Sequence, residues 1–127
     1  MVNPMITFEN FILADGIPIY LQIIRYIKQG IVAGIILNGD ELPSRRVLSA
    51  LLGVNPNTIQ KAYKMLEEEG LIQSHSGAKS YMVLTEDRIK EIRTELLEND
   101  ARNAVQTLKQ MGVTMEEAIS LIEKYWH

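Results

Sequence analysis

Two short predicted helices, separated by only three residues, constrain the fold of this chain more than any other feature. The first helix, predicted over 45–52, follows the N-cap Ser44 and ends at Gly53, because glycine suits the left-handed conformation after a helix. The second helix, predicted over 56–69, follows the N-cap Asn55 and has proline at its first position. Helices joined by so short a turn must cross at a steep angle, which predicts a helix-turn-helix.

The elements on either side of these two helices complete the fold. A helix is predicted over 18–33, since proline suits a first helical turn and apolar residues follow it at helical spacing. Two β-prone runs, 71–74 and 80–83, flank a short turn with glycine and predict a hairpin, and 6–12 is a candidate strand beside it. Three helices followed by a hairpin indicate a winged helix-turn-helix, a mainly α (α+β) fold, over residues 1–84.

Residues 85–127 predict two further helices that form a separate C-terminal region. A long helix follows the N-cap Thr85 and ends before Gly112, and a capping box of Thr114 and Glu117 opens the last helix. The apolar stripe of these helices needs a partner, and a two-fold homodimer is the simplest one. The alternative is that the stripe packs on the chain's own winged domain. The predicted dimerisation residues are Ile89, Ile92, Leu96, Leu108, Met111, Leu121, Ile122 and Tyr125.

The composition argues against several classes of protein. The chain has no cysteine, two histidines and no glycine-rich phosphate loop, so we predict no metal, no cofactor and no catalytic site. No apolar run reaches the roughly 18 residues of a membrane-spanning helix, and the N-terminus lacks a signal-peptide pattern. We therefore expect a cytoplasmic protein without a membrane partner. No residue pattern identifies a small-molecule effector, and two helices alone cannot enclose a pocket of roughly 300 Å³.

The distribution of charge bears on a nucleic-acid partner more than the net charge of −3 does. The acidic excess lies in residues 84–127, which carry nine acids and six bases. Residues 42–64 carry four bases and no acid. Because salt screens charges beyond about 8–10 Å, a local basic face matters to a polyanion more than the sum over the chain. An ordinary solvated surface is the alternative interpretation of these charges.

The residue types in this basic stretch suit contact with DNA. In a helix-turn-helix, the second helix lies in the major groove, and the residues at its N-terminus contact base edges. Asparagine and glutamine can bond adenine through two atoms, arginine can bond phosphate or guanine, and a helix start offers free N–H groups to phosphate. The predicted DNA-binding residues, with two from the wing, are Ser44, Arg45, Arg46, Asn55, Asn57, Thr58, Gln60, Lys61, Lys64, Gly77 and Lys79.

Each of these assignments has a purely structural alternative. Arg46 can pair with Glu41 or with an acid of the C-terminal region, and Lys64 stands four residues before Glu68, a spacing that suits a helical ion pair. Gly77 is equally explained by turn geometry, and the polar residues at the helix start can be plain solvent contacts. At the level of the whole domain, the alternative to a DNA-binding regulator is a winged-helix module that binds proteins.

The stretch from Pro18 to Val83 resembles the DNA-binding domain of the GntR family. The resemblance is carried by four runs: Pro18-Ile19-Tyr20-x-Gln22-Ile23, Leu42-Pro43-Ser44-x-Arg46-x-Leu48, Gly53 to Tyr63, and Leu66-Glu67-x-Glu69-Gly70-Leu71-Ile72. The Asn-Pro-Asn-Thr run and the short C-terminal region are similar to the YtrA-type subfamily.

This resemblance implies a dimeric transcription regulator with a recognition helix in the major groove and a wing near the minor groove. By analogy with the subfamily, it also implies a repressor. The positions that match DNA-contacting places in the family are Arg46, Asn55, Asn57, Thr58, Gln60 and Gly77. Two departures stand out. Pro56 replaces the arginine that is common in the family, and the wing lacks the second glycine of the usual pattern.

Overall fold

The computed structural model describes residues 5–75 and 79–127, and it has the predicted mainly helical fold. Within these residues, five helices and three short strands follow each other in the order of a winged helix-turn-helix with two further helices. The elements are α1 (Ile19–Val32), β1 (Glu41–Leu42), α2 (Arg45–Leu52), α3 (Pro56–Glu68), β2 (Ile72–Ser74), β3 (Ser80–Met82), α4 (Glu86–Gln110) and α5 (Met115–Tyr125).

The turn between α2 and α3 has the predicted geometry. Gly53 adopts a left-handed φ of 66°, which costs glycine little because it has no Cβ. The hydroxyl of Ser49 donates a 2.6 Å hydrogen bond to the carbonyl of Val54, and the Asn55 side chain accepts a 2.8 Å bond from the amide of Asn57. These bonds satisfy polar groups that the two helix ends would otherwise leave unpaired. They fix the direction in which α3 leaves the turn.

The three strands form one antiparallel sheet in the order β1-β3-β2. Tyr81 of β3 is paired with Gln73 on one side and with Glu41 on the other. Strand β1 was not predicted from the sequence, and the candidate strand over 6–12 is not formed. Instead, Met5 makes one parallel bridge with Glu41, after which the chain turns and places Phe8 against the α1 side chain Tyr26.

The core of the winged fold lies between α1, α2, α3 and the sheet. Ile23 and Ile27 of α1, Leu48 of α2, and Ile59 and Leu66 of α3 are all fully buried. Val47 and Leu51 of α2, by contrast, are both more than half exposed. Helix α2 is only eight residues long and lies at the surface, so its core-facing side is narrow.

The chain forms two compact units, Met1–Ile92 and Arg93–His127. The first unit is the winged fold together with the first turns of α4, so it extends eight residues beyond the boundary expected from the sequence. Arg88 of α4 lies 3.9 Å from Glu69, which also pairs with the buried Lys28 at 3.0 Å. Ile92 is fully buried, so it belongs to the core of this unit, which corrects its prediction as a dimerisation residue.

The second unit contains the rest of α4 and the whole of α5. Gly112 has a φ of 75° and ends α4, and Thr114 Oγ1 accepts a 3.2 Å hydrogen bond from the Glu117 amide at the start of α5. This confirms both predicted helix ends. No residue of α5 is buried. Large apolar side chains that stand exposed in this unit are Leu97, Val105, Met111, Met115, Ile119, Leu121, Ile122, Tyr125 and Trp126.

Candidate nucleic-acid interface

The first turns of α2 and α3 face each other across a cleft of about 490 Å³. Four of the predicted DNA-binding residues line this cleft together, two from each helix. The fold places them side by side because α2 packs against α3 after the short turn at Gly53 and Val54. The lining residues are Arg45, Arg46, Ser49, Ala50, Pro56, Asn57 and Gln60.

On the α2 side of the cleft, a capped helix start carries two adjacent arginines. The Ser44 hydroxyl accepts a 3.1 Å hydrogen bond from the Val47 amide, and the first turn holds no acidic residue. Arg46 is exposed, and no ion pair engages it among residues 5–75 and 79–127. Within the described residues of its own unit, Arg46 therefore does not pair with Glu41.

Arg45, unlike Arg46, contacts an aromatic ring of the protein core. Its guanidinium carbon lies 5.2 Å from the ring centroid of Tyr63, and its Nε is buried without a hydrogen-bond partner. Tyr63 itself is fully buried and donates a 2.7 Å hydrogen bond to the carbonyl of Pro43. Burial raises the pKa of Tyr63 far above its usual range, against a smaller lowering by Arg45, so the phenol stays protonated and remains a donor.

The first turns of α3 present polar side chains to solvent. Asn57 and Gln60 are exposed, whereas Thr58 is half-buried beside the fully buried Ile59. Asn55 uses its side-chain oxygen to cap the helix, as expected. Among the predicted residues of this helix, Asn57 and Gln60 therefore have the freest access to a partner.

The two lysines of α3 lie further along the same helix. Lys61 is exposed, and its Nζ lies 4.0 Å from the ring centroid of Tyr20 in α1, a cation–π distance. Lys64 is also exposed, and in the part of the chain that the structure describes it forms no ion pair with Glu68. Among the described residues, no carboxylate at contact distance neutralises either lysine charge.

The wing hairpin is described up to its tip. The amide of His75 donates a 2.9 Å hydrogen bond to the carbonyl of Lys79, and the His75 ring meets the edge of Tyr81 at 5.2 Å. Lys79 is exposed, which suits a contact with phosphate. Gly77, the other wing residue predicted to bind DNA, lies outside the described residues.

A second cavity of about 510 Å³ lies away from this interface, between the N-terminal segment, the end of α1 and the loop after it. Its lining is largely apolar and includes Ile6, Tyr26 and Ile36. In residues 5–75 and 79–127, no cluster of His, Asp or Glu is arranged to hold a metal ion. Over the same residues, no helix has the length and apolar character needed to cross a bilayer.

Sequence reasoning missed the two tyrosines behind the basic side chains. Both tyrosines were considered only as parts of the runs that resemble the GntR family. Arg45 and Tyr63 are 18 positions apart, and Lys61 and Tyr20 are 41 apart, so no helical or strand spacing relates them. The contacts exist because α3 packs against both α1 and α2.

The chain is similar to known proteins over most of its length. Residues 19–81 match the family described as "Bacterial regulatory proteins, gntR family". The HTH-type transcriptional repressor YtrA of Bacillus subtilis (strain 168) is 37% identical over 84% of this chain and 78% of its own. The uncharacterised HTH-type transcriptional regulator YhcF of the same strain is 32% identical over 85% of this chain and 89% of its own.

Similarity in structure agrees with similarity in sequence. A solved GntR family transcriptional regulator from Listeria monocytogenes is 35% identical, with a TM-score of 0.77 over 88% of this chain and 98% of its own. The resemblance therefore extends past the winged fold into the C-terminal helices. We conclude that the chain belongs to the GntR family, among its YtrA-like members, and is a transcriptional regulator with a DNA-binding helix-turn-helix.

Proposed function

We propose that the protein represses transcription in the cytoplasm by binding, as a homodimer, to a two-fold symmetric operator. The observation that carries this proposal is the cleft of α2 and α3, which brings Arg45 and Arg46 next to exposed Asn57 and Gln60. Neither arginine forms an ion pair within the described residues. Cationic side chains beside hydrogen-bonding amides are the combination that DNA recognition needs. The relative YtrA of Bacillus subtilis is named a repressor, which supports the direction of regulation.

In this proposal the residues of the interface divide into two roles. The side chains of Asn57 and Gln60 contact base edges in the major groove, and Thr58 adds a hydroxyl or methyl contact nearby. The other residues position the protein on the backbone through charge or free N–H groups. The proposed backbone contacts are Ser44, Arg45, Arg46, Asn55, Lys61, Lys64, Gly77 and Lys79.

The dimer half of the proposal rests on the apolar surface of the second unit. Met111, Ile122 and Tyr125 are more than half exposed, and Leu121 is 39% exposed. Exposed apolar patches of this kind mark interaction sites in soluble proteins. A two-fold pairing covers the same patch on both copies and supplies the second DNA-binding domain. The proposed set keeps Ile89, Leu96 and Leu108, which are half-buried, and omits Ile92.

A salt titration tests whether binding is ionic, as this proposal requires. A dimer that neutralises roughly six to eight phosphates is expected to show a slope of log K against log salt of about −5 to −7. The measurement is duplex binding by fluorescence anisotropy over a series of KCl concentrations. A flat response, or no binding to duplex DNA, favours the alternative of a protein-binding winged-helix module.

Replacement of Gln60 by alanine tests base recognition. We expect the variant to lose preference at one base position in each half-site by about 5- to 150-fold, since a two-pronged side-chain contact to a base provides roughly 1–3 kcal/mol of discrimination. Competition with single-base operator variants measures this preference. Gln29→Ala, an exposed change on α1 outside the cleft, is the matched control. An equal loss of affinity for all sequences shows instead that Gln60 does not contact bases.

A further inference from the structure

The protein holds its charged side chains in two different ways. Lys28 and Arg88 both lie beside the carboxylate of Glu69, at 3.0 and 3.9 Å, in the winged unit. Arg45 and Lys61, by contrast, lie against the rings of Tyr63 and Tyr20, at 5.2 and 4.0 Å from the centroids. A carboxylate orders a cation but cancels its charge, whereas an aromatic ring orders it and leaves the charge intact.

Tyr63 also fixes the backbone from which Arg45 projects. Its hydroxyl donates a 2.7 Å bond to the Pro43 carbonyl, two residues before Arg45, and Ser44 between them caps α2. Tyr63 has no exposed surface, so neighbouring side chains hold its ring in place. A single core residue therefore sets both the start of α2 and the position of the first arginine on it.

Arg45 keeps its charge available in the cleft. In the described part of the chain no ion pair neutralises its guanidinium, and the side chain is only half-buried although its Nε is covered. The same side chain lines the cleft beside Arg46, where a polyanion would meet two positive charges together.

We propose that Tyr63 is a positioning residue that holds the Arg45 guanidinium in place for a DNA phosphate. Because the side chain is ordered before DNA arrives, binding loses less conformational freedom than it would for a free arginine. Tyr63 makes no DNA contact in this scheme and acts through the position of Arg45. The inference rests on the proposed DNA-binding function. It assigns one of the phosphate contacts to an arginine that a core tyrosine holds in place.

A double-mutant cycle on the intact protein tests this coupling. The proteins are wild type, Arg45→Gln, Tyr63→Leu and the double variant, and the probe is a duplex enriched by selection from random DNA. Arg45→Gln is expected to reduce the size of the salt slope by about 0.9 per protomer, hence about 1.8 for a dimer. Tyr63→Leu is expected to reduce it similarly, and the double variant to bind no more weakly than the weaker single variant.

Two controls separate positioning from a general loss of structure. Tyr63→Phe keeps the ring and removes only the hydroxyl, so it is expected to retain most of the Arg45-dependent slope. Arg46→Gln removes a charge that has no described ring contact. Its reduction of the salt slope is expected to add in full to that of Tyr63→Leu. A lower affinity for Tyr63→Leu at an unchanged salt slope would mean a structural role only and would overturn the inference.

A measurement on the free protein keeps the test decisive if Tyr63→Leu does not fold. In wild type, the ¹⁵N relaxation of Arg45 Nε is expected to show order close to that of the backbone, with slow solvent exchange. A disordered, fast-exchanging Arg45 Nε overturns the inference. If wild type binds DNA with a steep slope and Arg45→Gln leaves it unchanged, the inference alone fails. If wild type binds no duplex, the proposed function fails with it.

Discussion

Aspartate at both Ile122 and Tyr125 is expected to convert the protein to monomers and to weaken operator binding by about 10²- to 10⁴-fold. These side chains are 52% and 73% exposed, and they lie three positions apart on one face of α5. A charge placed in an apolar interface loses its hydration without gaining a partner, so pairing becomes unfavourable. The loss in affinity follows because a dimer binds its second half-site intramolecularly, at a high effective concentration. A monomer gains no such second contact.

Sedimentation equilibrium and operator binding measure the two halves of this expectation. Glu123→Ala changes the opposite face of α5 and serves as the matched control, which should remain dimeric. The winged unit has its own buried core and ends at Ile92, so its thermal unfolding should persist in the aspartate variant. An aspartate variant that stays dimeric would place the interface elsewhere on the chain. A monomeric variant that binds the operator with wild-type affinity would show that dimerisation is not required for binding.

Replacement of Arg46 by alanine is expected to reduce operator affinity by at least 30-fold without a loss of stability. The side chain lines the cleft, is exposed and has no ion pair within the described residues. A charge-assisted hydrogen bond to phosphate of roughly 1.5–3 kcal/mol, lost once in each protomer, corresponds to about 3–6 kcal/mol in a dimer. Removal of an exposed side chain without partners usually changes folding free energy by less than about 0.5 kcal/mol.

Binding of the selected duplex and thermal unfolding should be measured side by side for this variant. Arg93→Ala removes the same charge from an exposed position on α4 and controls for net charge. We expect the control to bind within a few-fold of wild type. Equal losses for both variants would indicate that only the total charge matters, and would contradict a phosphate contact by Arg46.

Local chemistry explains why the helix-turn-helix was predictable from the sequence. Ser44, Gly53 and Asn55 act on atoms within a few residues of themselves, and all three have the predicted cap or turn geometry. The cleft follows from the same signals, since so short a turn makes α2 and α3 cross at a steep angle. Four of the predicted DNA-binding residues therefore lie together there, although their contact with DNA remains a prediction.

Features that depend on distant parts of the chain were not predictable in this way. Strand β1 has two residues and exists because Glu41 pairs with Tyr81, forty positions away. Ile92 has the helical spacing of a dimer stripe, yet it packs in the core of the winged unit. The contact of Arg45 with Tyr63 likewise requires the packing of α2 on α3. Periodicity identifies the apolar face of a helix but not what covers it.

Selection of bound duplexes from random DNA tests sequence-specific, two-fold recognition most directly. A homodimer with the α3 start in the major groove is expected to enrich an inverted repeat whose half-sites lie about one or more helical turns apart. Adenine should recur at the positions that Asn57 and Gln60 face. Enrichment of a single unrepeated site, or no enrichment over the starting pool, would contradict recognition of a two-fold operator by this protein.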